Sequence, residues 1–164
     1  MRLTATVPAT SANLGPGFDC FGLALDLCNE ITIETDAEPS VTWEGEGAGE
    51  LATDGSDLVS RALAETAGRF ERALPPMSIR GRNRIPLVRG LGSSAAAAVG
   101  GVALADAALG LGLDPTTLLE IAAGIEIADI DPSNTDGAAL DIVETQQQAD
   151  DRGLARSGVA DNGD

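Results

Sequence analysis

The stretch GLGSSAAAAVGG, residues 90–101, holds four glycines, two serines and four alanines in twelve positions. Alanine and leucine are strong helix formers, so the composition from 93 onward predicts a helix over 93–109. The first turn of a helix has backbone N–H groups without intrahelical partners and carries partial positive charge. Because glycine leaves room for another group to approach the backbone, this helix start can receive a phosphate.

Phosphate binding competes with other interpretations of the same residues. A P-loop of the Walker type is excluded because GxxxxGK[ST] requires a lysine, and the chain contains none. Gly90, Gly92 and Ala95 formally match the dinucleotide pattern GxGxxA, although Pro86 disturbs the strand that should lead into it. A close-packed helix start that binds no ligand is the remaining alternative.

The rest of the chain predicts a mixture of strands and helices. Alternating or β-branched residues predict strands over 2–8, 20–26, 30–35, 41–43 and 77–82. Residues 9–19, ATSANLGPGFD, are rich in turn formers and predict a loop. A second helix is predicted over 57–74, from an N-cap at Ser56 to the prolines at 75 and 76, and a third over 115–128, with Asp114 as its N-cap. This order predicts an α+β fold, a mixed sheet backed by helices.

Charge restricts the partners of the chain. The 26 acidic residues outnumber ten basic residues, all of them arginine, and the net charge is −16. Such a chain has no basic stripe for nucleic acid and is repelled by anionic membrane surfaces. Repulsion among the acidic residues loosens the fold in dilute buffer. At molar salt the Debye length shrinks to about 3 Å, and the repulsion is largely screened. An acidic, lysine-free composition therefore predicts a protein of a salt-rich, halophilic cytoplasm.

Other features of the chain predict no metal site and no membrane segment. Cys20 and Cys28 are not arranged as CxxC and no histidine accompanies them, so zinc is not expected. The N-terminal residues lack the apolar core of a signal peptide, and no apolar run reaches about 18 residues. Residues 1–144 are predicted to form one domain, and the polar residues 145–164 a disordered tail.

Two motifs resemble those of the GHMP kinases. Residues 86–96, PLVRGLGSSAA, resemble the phosphate loop of that family, PxxxGLGSSAA. Residues 7–25, VPATSANLGPGFDCFGLAL, resemble the opening signature of its homoserine kinase branch. The motifs occur in the order found in the family. The resemblance covers residues 1–130, fades after about 127, and implies the fold of the GHMP-kinase N-terminal domain.

The resemblance implies a reaction and its ligands. It implies transfer of the γ-phosphoryl group of ATP to the hydroxyl of L-homoserine, a step toward threonine, with Mg²⁺ as the metal. Such transfer depends on positioning and charge neutralisation more than on covalent help from the protein. The implied ATP loop consists of Pro86, Leu87, Val88, Arg89, Gly90, Leu91, Gly92, Ser93, Ser94, Ala95 and Ala96.

Further residues correspond to family positions around that loop. Ser94 and Glu126 are the implied Mg²⁺ ligands. Asn13 and Asp19 are the implied catalytic residues, which meet the amino-acid substrate and the transferring phosphate. Residues 57–59, DLV, correspond to the adenine pocket, where asparagine is more usual than aspartate at the first position.

The chain also departs from the family pattern. Family members are longer and carry a second α/β domain that closes the cleft, for which this chain has no room. The motif HxDNVAPA is absent, and residues 134–139, NTDGAA, are the nearest equivalent. A nucleotide-binding module without kinase activity is therefore the alternative function. An apolar face left open by a missing domain would favour a homo-oligomer.

Overall fold

The computed structural model describes residues 1–12 and 21–129. The elements within them are β1 Arg2–Ala12, β2 Gly22–Thr35, β3 Ser40–Gly45, α1 Leu58–Arg69, β4 Met77–Asn83, α2 Ser93–Leu109 and α3 Pro115–Asp129. The described strands form a sheet in the order β1-β2-β4-β3, in which only β3 and β4 pair in parallel. This arrangement confirms the α+β fold with a mixed sheet backed by helices. The predicted tail, 145–164, lies outside the described residues.

The first two strands are longer than the sequence predicts. β1 runs through Pro8 to Ala12, and its register against β2 shifts between Pro8 and Thr10. Proline is tolerated there because β1 lies at an edge of the described sheet, where a missing N–H disturbs few pairings. The predicted break in β2 at 27–29 is wrong, since Cys28 and Asn29 stay paired with β1. The predicted loop accordingly does not include residues 9–12.

The ends of α1 also differ from the prediction. The N-cap is Asp57, whose side chain accepts a hydrogen bond from the Ser60 N–H at 2.9 Å. Ser56, the predicted cap, instead donates its hydroxyl to Asp54 at 2.6 Å. The helix ends at Arg69, before the prolines at 75 and 76. A Schellman motif closes it there, with the N–H of Arg72 bonded to the carbonyl of Ala67 at 2.9 Å.

The other two helices match their predictions closely. α2 spans the residues predicted for it, 93–109. α3 begins at Pro115 behind an Asp114 N-cap that accepts hydrogen bonds from the N–H groups of Thr116 and Thr117. The Thr117 hydroxyl, followed by the Thr117 N–H, holds the pKa of Asp114 below its usual value. Within 1–12 and 21–129, no helix has the length and apolar character that crossing a membrane would require.

The core lies between the sheet and the helices, with α2 at its centre. Ile31 and Ile33 of β2 pack with Leu63 of α1 and Leu104 of α2, and all four are almost fully buried. Each buried side chain of this size contributes about 1.5–3 kcal/mol of hydrophobic free energy. A second cluster joins α2 to α3, and a third, which contains Ile85, lies beneath the loop before α2. The loop and the start of α2 therefore rest on packed core.

Candidate functional site

A cleft of about 560 Å³ opens at the N-terminus of α2. Its walls come from the sheet, from the start of α1 and from the loop between β4 and α2, and consist of Asn29, Ile31, Trp43, Leu51, Asn83, Ala97 and the ranges 56–59 and 86–94. Residues 86–94 of the predicted ATP loop thus line one cleft. Ala95 and Ala96 lie in the following turn of α2, and Ala96 is buried in the third core cluster.

The start of α2 has no side-chain cap. Its N-cap is Gly92, and no side chain accepts a hydrogen bond from the first-turn N–H groups. The first hydrogen bond into the helix runs from the Ala96 N–H to the Gly92 carbonyl at 2.9 Å. The N–H groups of the residues between them therefore have no intrahelical partner, and Ser93 and Ser94 line the cleft. This end of the cleft can bind an anion such as phosphate.

Gly92 is held tightly at the junction of loop and helix. Its φ is +68°, in the left-handed region that favours glycine, and a Cβ here would lie 2.5 Å from the Thr10 Oγ1. The Thr10 N–H also donates to the Leu91 carbonyl at 3.0 Å. Strand β1 therefore fixes the last residues of the loop, and any other residue type at position 92 would have a strained φ and would displace either Thr10 or the residue itself.

Ser94 and Glu126, the predicted Mg²⁺ ligands, lie in contact. The Ser94 Oγ donates a hydrogen bond to the Glu126 Oε1 at 2.7 Å, which joins the first turn of α2 to α3. Both groups carry oxygen, the ligand atom that Mg²⁺ prefers, and Mg²⁺ is commonly held by one or two protein oxygens plus substrate phosphates. The described residues contain no cluster of three or more His, Cys, Asp or Glu that could hold a metal without such help.

One part of the cleft is apolar. Leu58 and Val59 of the predicted adenine segment line it, together with Leu51 and Trp43. Asp57 is 7% exposed, and its carboxylate caps α1 by accepting hydrogen bonds from the Ser60 N–H and hydroxyl. Asparagine can cap a helix in the same way, so the aspartate at 57 preserves the local structure.

Sequence analysis missed Trp43 as a residue of this site. Its indole Nε1 donates to the Ala52 carbonyl at 2.7 Å, and its ring lies where a Cβ on Gly81 would come within 2.1 Å. The sequence could have indicated Trp43 as a site residue, because it is the one tryptophan of a chain with 2% aromatic residues. Asn29 and Asn83 were also missed, because both fall just outside the predicted strands 30–35 and 77–82 and belong to neither motif.

Not every predicted site residue can be located. Asn13 and Asp19 lie outside the described residues. Arg89 lines the cleft and is exposed, and it supplies the cation nearest the helix start among the described lining residues. The described site thus comprises a helix start that can bind an anion, a serine–glutamate pair beside it and an apolar part of the cleft.

Comparison with known proteins agrees with this geometry. The family model for the GHMP kinases N terminal domain matches residues 57–141. The homoserine kinase of Mycobacterium sp. (strain KMS) is 55% identical over 107 residues, 65% of this chain and 34% of that protein. The homoserine kinase of Corynebacterium diphtheriae is 46% identical over 126 residues, 76% of this chain and 41% of that protein.

Solved structures show the same fold. The homoserine kinase from Cytophaga hutchinsonii superposes with a TM-score of 0.67 at 29% identity, over 77% of this chain and 41% of that one. The mevalonate kinase of Methanococcus jannaschii has a TM-score of 0.62 at 16% identity, over 77% of this chain and 47% of that one, and shares the fold.

The chain spans 34% to 41% of the length of these curated relatives. The matched region includes the start of α1, the loop and the whole of α2, and so contains the uncapped helix start that lines the cleft. With the family model matching more than half of its residues, the chain belongs to the GHMP kinase family and contains the N-terminal domain of that family.

Proposed function

We propose that this chain binds MgATP in the cleft and phosphorylates the hydroxyl of L-homoserine. The observation that carries the proposal is the uncapped start of α2, which opens into a cleft beside a glycine that has no room for a side chain. The two curated relatives reported above are homoserine kinases, and this supports the choice of substrate.

The triphosphate is assigned to the N-terminus of α2. The N–H groups of Ser93, Ser94 and Ala95 would donate to phosphate oxygens, and the partial positive charge of the helix end would offset part of their negative charge. Arg89 adds a full positive charge at the mouth of the loop. Donors fixed before the reaction stabilise charge that develops during phosphoryl transfer without a cost of reorganisation.

Ser94 and Glu126 are the residues proposed to hold Mg²⁺. Their oxygen atoms already lie within hydrogen-bonding distance, so a small rearrangement suffices for both to face one cation. Bound Mg²⁺ would supply charge neutralisation at the phosphate oxygens.

The adenine base is assigned to the apolar part of the cleft. Trp43, Leu51 and Leu58 offer flat and aliphatic surface there, as expected for a pocket that takes an aromatic ring. The indole of Trp43 is already fixed by its hydrogen bond to Ala52, so little side-chain entropy is lost on binding.

The amino-acid substrate is assigned to Asn13 and Asp19 on the basis of the N-terminal motif. A carboxylate at position 19 would orient the homoserine ammonium group through a charge-assisted hydrogen bond. The proposed location is a cytoplasm rich in salt, which rests on the acidic, lysine-free composition.

A nucleotide-binding module without kinase activity is the second candidate. It is favoured by the fraction of the curated relatives that this chain spans, 34% to 41%. Under this alternative the helix start still binds MgATP, and the hydroxyl of the amino acid is not phosphorylated.

Phosphorus NMR of the chain with MgATP at molar KCl separates the two candidates. The kinase predicts O-phosphohomoserine and ADP only when L-homoserine is present. L-2-aminobutyrate, which lacks the accepting hydroxyl, is the matched control and should yield no phosphorylated product. Binding of MgATP without product would support the second candidate, and absence of MgATP binding would contradict both.

A further inference from the structure

Asn29 lies on β2 beneath the loop that leads to α2. The residue is 3% exposed, and its Oδ1 accepts hydrogen bonds from the N–H groups of Arg84 at 2.8 Å and Ile85 at 3.0 Å. The donors lie 55 and 56 residues away in the chain. A buried amide oxygen that accepts two backbone N–H groups determines the path of the chain at that point.

The position of these hydrogen bonds explains why a side chain is needed. The ladder between β2 and β4 begins at Thr35–Met77 and ends at Glu30–Arg82. Beyond it the chain turns away toward the cleft, so the next N–H groups have no strand carbonyl opposite them. The Asn29 side chain takes the place of that carbonyl, and Ile85 is fully buried immediately before the loop begins at Pro86.

The other end of the loop is fixed by a different strand. The Thr10 N–H on β1 donates to the Leu91 carbonyl at 3.0 Å, and Gly92 lies against the Thr10 Oγ1. Between these two attachments residues 86–90 are partly or fully exposed, and Val88 is 98% exposed. The loop is therefore a span held at its two ends, and Asn29 provides the side-chain attachment at the entrance.

We propose that Asn29 is a positioning residue of the phosphate loop: by holding Arg84 and Ile85, it sets where the loop enters the cleft and thereby aligns the donors that receive the triphosphate. The proposal rests on the function proposed above for the cleft. Asn29 acts through the backbone of Ile85, so its removal changes the loop while the helix start itself remains.

The first test is amide hydrogen exchange of the chain without nucleotide at molar KCl. In Asn29→Ala the amides of Arg84 and Ile85 lose their acceptor, so we expect them to exchange roughly tenfold faster or more, while the amides of α1 keep their wild-type rates. Wild-type exchange at Arg84 and Ile85 in this variant would overturn the proposal. Should Asn29→Ala not fold, Asn29→Asp retains an acceptor oxygen and is expected to fold with slow exchange at both amides; fast exchange there would likewise overturn it.

The second test is calorimetric titration with MgATP. We expect Asn29→Ala to raise the dissociation constant about tenfold or more, because the donors of the loop no longer converge on one position. The control is Thr66→Val, which removes a buried hydrogen bond of 2.7 Å to the Ala62 carbonyl in α1, away from the cleft, and should leave the affinity unchanged.

Together the two tests separate a failure of the positioning role from a failure of the proposed function. Faster exchange at Arg84 and Ile85 with unchanged MgATP affinity would overturn the positioning role, because Asn29 would then act on local stability alone. If the wild-type chain bound no MgATP, the proposed function would fail, and the exchange rates would still decide whether Asn29 holds the entrance of the loop.

Discussion

Gly92 is the residue on which the proposed site depends most. Sequence analysis placed it at a helix start that can receive phosphate, and the structure adds the neighbour that excludes a side chain, the Thr10 Oγ1. That contact joins residues 82 positions apart in the chain, so local sequence alone could not predict it. Local chemistry thus indicated what Gly92 could do, and tertiary structure explains why the position needs glycine.

Replacement of Gly92 by valine should abolish MgATP binding. A β-branched residue at a φ of +68° is strained, by roughly 1–2 kcal/mol, and its Cβ would also collide with Thr10. The loop must then shift away from the helix start. Isothermal titration calorimetry with MgATP at molar KCl measures the loss.

Gly110→Val provides the matched control for this prediction. Gly110 ends the same helix at a φ of +62°, and a Cβ there would meet nothing within 4 Å. The variant should therefore carry similar backbone strain and melt at a lower temperature, with MgATP affinity unchanged. Unchanged affinity in Gly92→Val would count against the phosphate-loop assignment, and equal losses in both variants would point to general destabilisation.

The pair Ser94 and Glu126 makes a prediction about magnesium. Glu126→Gln removes the carboxylate charge while it keeps an oxygen near the Ser94 hydroxyl. We expect the Mg²⁺ concentration that half-saturates ATP binding to rise about tenfold, because a neutral amide is a weaker ligand for Mg²⁺ than a carboxylate. The titration varies MgCl₂ at fixed ATP concentration.

Glu120→Gln is the control for the magnesium prediction. Glu120 is an exposed residue of the same helix, α3, and its replacement changes the net charge by the same amount. Its half-saturating Mg²⁺ concentration should match that of the wild type. A rise of the same size in both variants would show that the long-range charge of the chain is responsible, and not the proposed ligand pair.

At the scale of elements, periodicity predicted the helices well and their ends less well. The bounds of α2 follow from a run of strong helix formers between two glycines, which are local signals. The end of α1 is set by a Schellman motif in which Glu71 has a φ of +53°, although glycine is the usual residue there. A glutamate at position 71 does not indicate such a turn. The prolines at 75 and 76 therefore led to a predicted helix end that lies too far along the chain.

The predicted bounds of β1 and β2 were wrong for a comparable reason. A break was predicted before Glu30, yet β2 continues through the polar residue Asn29, which the fold buries as an acceptor for the loop entrance. Pro8 indicated the end of β1, yet an edge strand tolerates it. In both cases a residue that favours a turn in isolation stays inside a strand, and Asn29 makes a tertiary contact there.

The N-cap of α1 gives a prediction about stability. Asp57→Ala removes the acceptor for the Ser60 N–H at a position that is 7% exposed, so we expect a loss of about 1 kcal/mol in the free energy of unfolding. Asp57→Asn keeps a capping oxygen and should retain most of that stability. Urea unfolding at molar KCl measures both, and equal losses in the two variants would contradict the capping role.

The charge of the whole molecule predicts a dependence on salt. A net charge of −16 on 164 residues produces repulsion that acts over about 10 Å at 0.1 M salt and over about 3 Å at 1 M. The melting temperature should therefore rise steeply with KCl across that range. Sucrose, which favours compact states without screening charge, is the control. An equal rise in both solutes, or none in KCl, would contradict an electrostatic cause.

At the scale of the whole molecule, part of the fold and of the site could be predicted from the sequence. The family, the mixed sheet with its backing helices and the loop at 86–94 followed from two local motifs and from periodicity. The contact between Ser94 and Glu126 required the packing of α3 on α2, and the apolar part of the cleft required Trp43 of β3 and the start of α1 to line one cleft. Such long-range contacts depend on how the elements pack, which a motif does not encode.

The central claim is that the N-terminus of α2 binds the triphosphate of ATP. Backbone amide chemical shifts, followed by NMR while MgATP is added at molar KCl, test it most directly. The account predicts that the largest shifts occur at the amides of Gly92, Ser93, Ser94 and Ala95 and saturate together, while the first residues of β1 barely change. Saturable binding that leaves these four amides unshifted, or no binding at all, would contradict it.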